Sequence, residues 1–221
     1  MSRRITRLTL DHLDALGAHG VPCRTCLFWE LDPVRRARLG DATGCARAEE
    51  KDAWLSEVLR EWGSCGQVVL IEDEPVGYLI YAPAAYAPGA TAFPTAPVSP
   101  DAVLLTTAYV DPAHAGGGLG RMLVQGMARD LIKRGGIRAV EAFGDTRAAG
   151  RCVVSSDFLA HVGFKTHRPH PTTPRMRMDL RSALTWKDEV EAALERLVGA
   201  VRPVRKAPSP TLRDDRTLDA G

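Results

Sequence analysis

The stretch VDPAHAGGGLGRML, running from Val110 to Leu123, joins two segments of different period. Before it, Val103 to Val110 is an apolar and β-branched run of the kind that forms a buried strand. After it, Leu119, Met122, Leu123, Met127 and Leu131 recur at helical spacing, and Gly135 and Gly136 close the helix where a left-handed cap is easily made. Ile137 to Phe143 reads as the next strand. The middle of the chain is therefore strand, glycine turn, helix, strand. Glycines that open a helix leave backbone N–H groups bare beside the positive end of the helix dipole, which is an anion site in physical outline.

Several designs place glycines there. A phosphate-cradling P-loop needs Lys-Ser or Lys-Thr after its last glycine, and here Arg121 and Met122 follow. A dinucleotide fingerprint needs G-x-G-x-x-G close to the strand end, whereas GGGLGR begins only after five intervening residues and has Arg121 in the place of the third glycine. Glu141 does lie about 20 residues on, where a ribose-binding acid would fall. A turn with no ligand would lose backbone entropy at each extra glycine for no gain.

The arrangement that fits better is carried by YVDPAH followed by Ala115, Gly116, Gly117, Gly118, Leu119 and Gly120. It resembles the GNAT family of N-acetyltransferases, whose signature is a strand, Val-x-Pro, then Q/R-x-x-G-x-G/A opening a long helix. Gly118 and Gly120 take the two glycine positions. The order of elements around them is similar from about Arg3 to Leu180. The resemblance implies an α/β (mixed) fold, with a central mostly antiparallel sheet, a splayed strand pair and flanking helices. It also implies acetyl-CoA as co-substrate, with Val110, Ala115, Gly116, Gly117, Gly118, Leu119, Gly120 and Arg121 along the cofactor. By the same analogy, the Val110 amide donates to the thioester carbonyl.

Two departures follow from the same comparison. Ala115 stands where the family has Gln or Arg, so one side-chain contact is absent. CVVSSDFLAHVGF, residues 152–164, resembles the family's N-x-x-A-x-x-F-Y-x-x-x-G-F helix, but Leu159 takes the place of the tyrosine acid and Cys152 that of the asparagine. In that register Cys152 lies near the CoA path.

Acylating an amine still has an energetic ranking. At pH 7 a thiol of pKa near 8.5 leaves unprotonated at a cost of about 2 kcal/mol, while deprotonating a lysine near 10.4 costs about 4.6 kcal/mol. The base matters more than the acid. Glu141 is the expected base, since strand alternation sets it with Ile137, Ala139 and Phe143 beside the splayed strand; a solvated edge carboxylate is the plainer alternative. Tyr109, at the end of the central strand, is a candidate acid or a packing residue.

Toward the N-terminus, Ile5 to Leu10 alternates as a short strand, and Asp11 opens a brief helix to Ala18. Ala48 to Trp62 carries Trp54, Leu55, Val58, Leu59 and Trp62 on one face of a helix. Gln67 to Glu72 and Val76 to Ala82, joined by the turn signal EDEP, form an antiparallel hairpin. Ala82 to Pro100 holds five prolines and seven alanines, too many breakers for a regular element, and reads as a lid or a floppy insertion. Ser155 to Val162 is a short helix, and Phe164 to Arg168 and Arg175 to Leu180 are two last strands. A helix is expected over 186–201. Residues 1–201 are taken as one domain and 202–221 as a disordered tail, where Pro, Arg, Asp and Ser replace apolar residues.

A formal charge of +2 from 29 basic and 27 acidic residues is too even for a phosphate-tracking surface, and no apolar run is long enough for a membrane span. Neither nucleic acid nor membrane is an expected partner; a small-molecule or protein amine is the expected acceptor. Family resemblance makes a homodimer plausible. Five cysteines and no secretory leader point to the cytoplasm. Cys23 and Cys26 form C-x-x-C within the segment 21–30, with Cys45 and Cys65 following singly. The open readings are structural thiols, a redox pair, or a zinc site for which a second close pair is missing, so no metal ligand is assigned. Two rival functions remain: an acyl-CoA-binding sensor without catalysis, and a thiol redox protein using Cys23 and Cys26.

Overall fold

The computed structural model describes residues 2–181 apart from 19, 41 and 148–151. The helix expected over 186–201 and the tail from 202 onward lie outside the described residues. Strand β1 (Arg3–Arg7) leads to helix α1 (Leu10–Ala18). Helix α2 (Pro33–Leu39), which hydrophobic periodicity did not show, is opened by the Asp32 carboxylate, which accepts from the Val34 and Arg35 amides. Helix α3 (Gly44–Glu61) begins a turn earlier than its apolar stripe, because Thr43 caps it through the Ala46 amide. It buries Trp54, Leu55 and Val58 as the spacing predicts.

Strands β2 (Gly66–Ile71) and β3 (Glu74–Ala82) form the expected hairpin, turning through Glu72 and Asp73 at φ of 51° and 69°. Strand β4 (Ala102–Val110), helix α4 (Leu119–Arg134) and strand β5 (Ala139–Asp145) make the central unit. A two-residue strand β6 (Val154–Ser155), helix α5 (Ser156–His161) and strands β7 (Lys165–Arg168) and β8 (Arg175–Asp179) complete the described chain. The sheet order is β1-β2-β3-β4-β5-β8-β7, with β6 attached to β5. Pairing is antiparallel throughout except at β4–β5 and β5–β6. This is the mixed α/β fold with a mostly antiparallel sheet that the sequence implied. No helix among the described residues is long and apolar enough to cross a membrane.

Two irregularities shape the centre of the sheet. First, β4 and β5 share only three rungs, Ala102–Ala139, Val103–Val140 and Leu104–Glu141, and then part. Second, the β3–β4 register steps from Tyr81–Leu105 to Ile80–Thr107, leaving Thr106 as an extra residue in β4. Its hydroxyl donates to the Ile80 carbonyl (3.2 Å). The bulge inverts the alternation: Val103 and Leu105 pack toward α4, and beyond Thr106 so do Ala108 and Val110, while Tyr109 packs on the opposite face.

The α4 face buries Leu79, Leu123, Met127, Leu131, Val140 and Met176. The other face is covered in two patches, one by α1 and α3 and one by aromatic residues. Phe93 stacks on Phe143 at 4.3 Å and 16°, and Trp29 stacks on Phe93 at 5.3 Å and 7°. The proline-rich segment is thus a packed cover rather than a lid or a floppy insertion. The Gly89 amide donates to the Trp29 carbonyl (3.1 Å), and a Cβ on Gly89 would collide with the Phe28 carbonyl. Trp54 Nε1 donates to the Tyr86 carbonyl (2.7 Å), and the Thr95 hydroxyl to the Thr173 carbonyl (3.1 Å).

Because Phe143 is fully buried in this stack, Phe143→Ala is expected to cost about 3–5 kcal/mol. Denaturant unfolding of the variant and the parent chain measures it, and a loss below 1 kcal/mol would mean that the aromatic cover is not packed on β5 as described.

Candidate active site

The glycine turn is built step by step from β4. The Asp111 carboxylate accepts from the Ala113 amide (2.8 Å), which tightens Pro112–His114 into a single 3-10 turn. Gly116 and Gly118 then take φ of 79° and 77°, a left-handed conformation that side chains resist. Gly118 is the N-cap of α4 and offers no side chain to the helix's first amides. A groove of about 430 Å³ opens there, bordered by His114, Ala115, Gly116, Gly118, Leu119 and Arg121. Gly117 lies on the outer side, its carbonyl accepting from Arg3 (2.9 Å). Gly120 sits against the Phe158 ring, where a Cβ would come within 2.6 Å.

The groove adjoins a cleft of about 320 Å³, and the two share Val110, Gly120 and Phe158 as lining residues. The cleft occupies the gap where β4 and β5 part, with β6 on the β5 side. The Asp111 amide donates to the Val76 carbonyl of β3 (2.8 Å). Successive amides of a strand alternate in direction. The Val110 amide therefore points away from β3, into the gap.

Two polar side chains reach the cleft from the sheet face opposite α4. Tyr109, at the end of β4, packs near Tyr78 with ring centroids 6.1 Å apart. Burial, with Asp111 and Cys23 nearby, raises its phenol above the usual range, so it is protonated at neutral pH. Asp145, at the end of β5, is 6% exposed and lines the cleft with Arg147. Its Oδ1 accepts from the Arg147 amide (2.9 Å) and Nε (3.4 Å), and Oδ2 has no hydrogen bond among the described residues. Asp145 was not among the expected residues. The only signal for it was the alternation of β5, which runs two residues beyond the strand end read at Phe143.

Glu141 is placed differently from the expectation. It sits at the last shared rung of β4 and β5, fully buried, and does not line the cleft. Its Oε2 accepts from the Ser99 amide (3.1 Å) and lies 3.3 Å from Arg175 Nε; its Oε1 accepts from Arg177 Nη1 (3.2 Å). Arg177 also clamps Asp101 (2.8 Å), whose carboxyl is held below its usual range by that hydrogen bond. A carboxylate so engaged holds the proline-rich cover onto β5, and the strand-edge base read from alternation does not match this geometry. Leu159 is fully buried in the α4-side core, and the α5 residue that reaches both groove and cleft is Phe158.

The cysteines also depart from the readings left open. Cys26 forms a disulfide with Cys152, not with Cys23. Cys152 does not line the groove or the cleft, but its neighbours Val153 and Val154 line the cleft, and its carbonyl accepts from Trp29 Nε1 (2.8 Å). Cys23 is half-buried, Cys45 exposed and Cys65 buried. No three His, Cys, Asp or Glu side chains gather as a metal site among the described residues.

The chain thus has a mixed sheet split at its centre, with a glycine-lined groove at the mouth of the split. Residues 31–152, more than half of the chain, match the acetyltransferase (GNAT) family, and the chain belongs to that family. Among solved structures, an N-acetyltransferase from Staphylococcus aureus Mu50 is similar, with TM-score 0.53, 16% identity and coverage of 81% of this chain and 99% of that one. PaiA N-acetyltransferase from Thermoplasma acidophilum, solved in complex with coenzyme A, gives 0.51, 13%, 81% and 99%. The loading GNATL domain of CurA from Lyngbya majuscula gives 0.50, 13%, 82% and 100%. At these identities the likeness is one of fold. No curated protein sequence matches the chain.

Burial pushes the Cys65 thiol up to about 12, so alkylation with iodoacetamide at pH 8 is expected to label exposed Cys45 and leave Cys65 untouched. Since the unfolded thiol ionises nearer 9, the Cys65 contribution to stability is complete below that pH and is lost as pH rises toward 12. Peptide mapping reads the labelling, and equal labelling of both thiols in the folded chain would contradict the placement.

Proposed function

We propose that this chain is an acyl-CoA-dependent N-acyltransferase that moves an acetyl group from acetyl-CoA to a primary amine by direct attack. The observation that carries the reading is that the glycine groove adjoins the gap between β4 and β5 and shares Val110, Gly120 and Phe158 with it. A pyrophosphate fits the groove because the amides at Gly116, Gly118 and Gly120 and the N-terminus of α4 supply positive dipoles. Arg121 borders the same groove, and Ala115 adds no side-chain contact there. A thin apolar arm fits the gap among Leu79, Ala108, Leu123, Val154 and Phe158.

Where the groove and the gap meet, the Val110 amide faces the acyl carbonyl and donates to the oxygen as negative charge develops, a contribution of about 3–4 kcal/mol in a dry site. The amine arrives from the face that carries Tyr109 and Asp145. Asp145 Oδ2 receives its ammonium and takes the proton. Tyr109, protonated, gives a proton to the departing thiolate and regains one from the second proton that the acylated nitrogen sheds. The two demands are unequal, about 4.6 kcal/mol for a lysine-type amine against about 2 kcal/mol for the thiol. Asp145 is therefore the more consequential group, and the loss of the family tyrosine at Leu159 is tolerable.

The test is thiol release from acetyl-CoA across a panel of amines, with acetyl-CoA affinity measured separately. Asp145→Asn is expected to lower kcat by about 100-fold and Tyr109→Phe by about tenfold, both with acetyl-CoA affinity unchanged. Full turnover by Asp145→Asn would remove it as the base. Failure of the parent chain to bind acetyl-CoA would overturn the reading as a whole.

A further inference from the structure

The reaction proposed above makes a thiol, free coenzyme A, inside a cleft whose lining residues Val153 and Val154 directly follow a disulfide-bonded cysteine. Cys152 immediately precedes Val153 and Val154, both cleft-lining, so its Cα is about 3.8 Å from that of a lining residue. Cys26, its partner 126 residues earlier, belongs to the segment packed behind, where Phe28 and Trp29 meet edge to face at 5.0 Å. Of the two bonded cysteines, Cys152 is the one whose chain neighbours line the cleft. The Trp29 indole holds the Cys152 carbonyl at 2.8 Å, so the backbone beside the cleft keeps a tether that does not depend on the sulfur bond.

We propose that Cys152 is a covalent capture site for free coenzyme A, an inference that rests on the acyl-CoA reading of the cleft. The CoA thiolate attacks Cys152 Sγ, a new sulfur–sulfur bond forms between them, the Cys26–Cys152 bond breaks, and Cys26 leaves as a thiolate that takes a proton from water. One disulfide is exchanged for another, so no external oxidant or reductant is required. The reverse attack by Cys26 on Cys152 releases CoA and restores the starting bond. Acetyl-CoA cannot take part, because its sulfur is acylated and is not a nucleophile. The site therefore distinguishes spent from charged cofactor, and each captured molecule blocks the groove against the next acetyl-CoA until Cys26 expels it.

The experiment uses the full chain purified without reductant. Alkylation before any thiol is added should leave Cys26 and Cys152 unlabelled; labelling of both would show that the bond is absent and overturn the proposal. Incubation with CoA under anaerobic conditions is then expected to add the mass of one CoA, map it to Cys152, and make Cys26 newly alkylatable. Glutathione at the same concentration should react at least roughly tenfold more slowly, because binding holds the CoA thiol at the disulfide. Acetyl-CoA should bind without a covalent adduct, and Cys26→Ser, which has no disulfide to open, should give none with CoA. Equal rates with glutathione, or a Cys23–Cys26 disulfide with Cys152 left free, would overturn capture. Acetyl-CoA binding with no CoA adduct would sink this inference alone, while absence of acetyl-CoA binding would sink the functional reading beneath it.

Discussion

Three rungs of parallel pairing join β4 to β5, and where they stop the sheet opens. An unpaired strand edge inside a core is costly unless its amides and carbonyls find partners. Here β6 takes up the β5 edge at Gly144 and Asp145, leaving the end of β4 facing the gap. The Thr106 bulge in β4 sends Tyr109 to one face and Val110 to the other, so a single strand end supplies a side chain to the acceptor side and an amide to the gap. The glycine turn follows directly, and its left-handed residues aim the start of α4 at the mouth of the same opening.

Asp145 and Arg147 line this opening, and the other charges around it hold its walls. Glu141, with Arg175 and Arg177, ties β5, β8 and the proline-rich cover together beneath the parting strands. Lys51 and Glu30 form a second buried pair, their side chains 3% and 1% exposed, between α3 and the N-terminal segment. Buried pairs add little net stability compared with an apolar core, but removing one partner leaves an uncompensated charge. Both pairs bind irregular segments to regular ones on the face opposite α4, where Tyr109 and Asp145 stand. The Cys26–Cys152 disulfide is a covalent tether of the same kind on the same side.

The glycine groove was legible because its physics is local. A strand, left-handed glycines and a helix start are contiguous, and the apolar spacing of α3 and α4 reports their buried faces directly. Glu141 was misassigned because alternation gives the face of a strand and not the rung at which its neighbour departs. Asp145, on the same face and past that rung, is the carboxylate the cleft holds. The Thr106 bulge was unreadable, since two adjacent threonines suit an unbroken strand equally well. Proline content excluded regular structure over 82–100, but it could not show that Phe93 would stack on Phe143. Nor could cysteine spacing pair Cys26 with Cys152, because separation along the chain carries no information about approach in space.

The central claim is that the groove and the gap form one binding path for acetyl-CoA. Backbone amide spectra of isotope-labelled protein, titrated with acetyl-CoA, test it residue by residue. The account predicts saturable shifts concentrated at Val110, Gly116, Gly118 and Gly120, with Gly135 and Gly136 at the far end of α4 unmoved. Saturable shifts that leave Val110 and the glycine turn untouched, or no saturable shift at all, would contradict it.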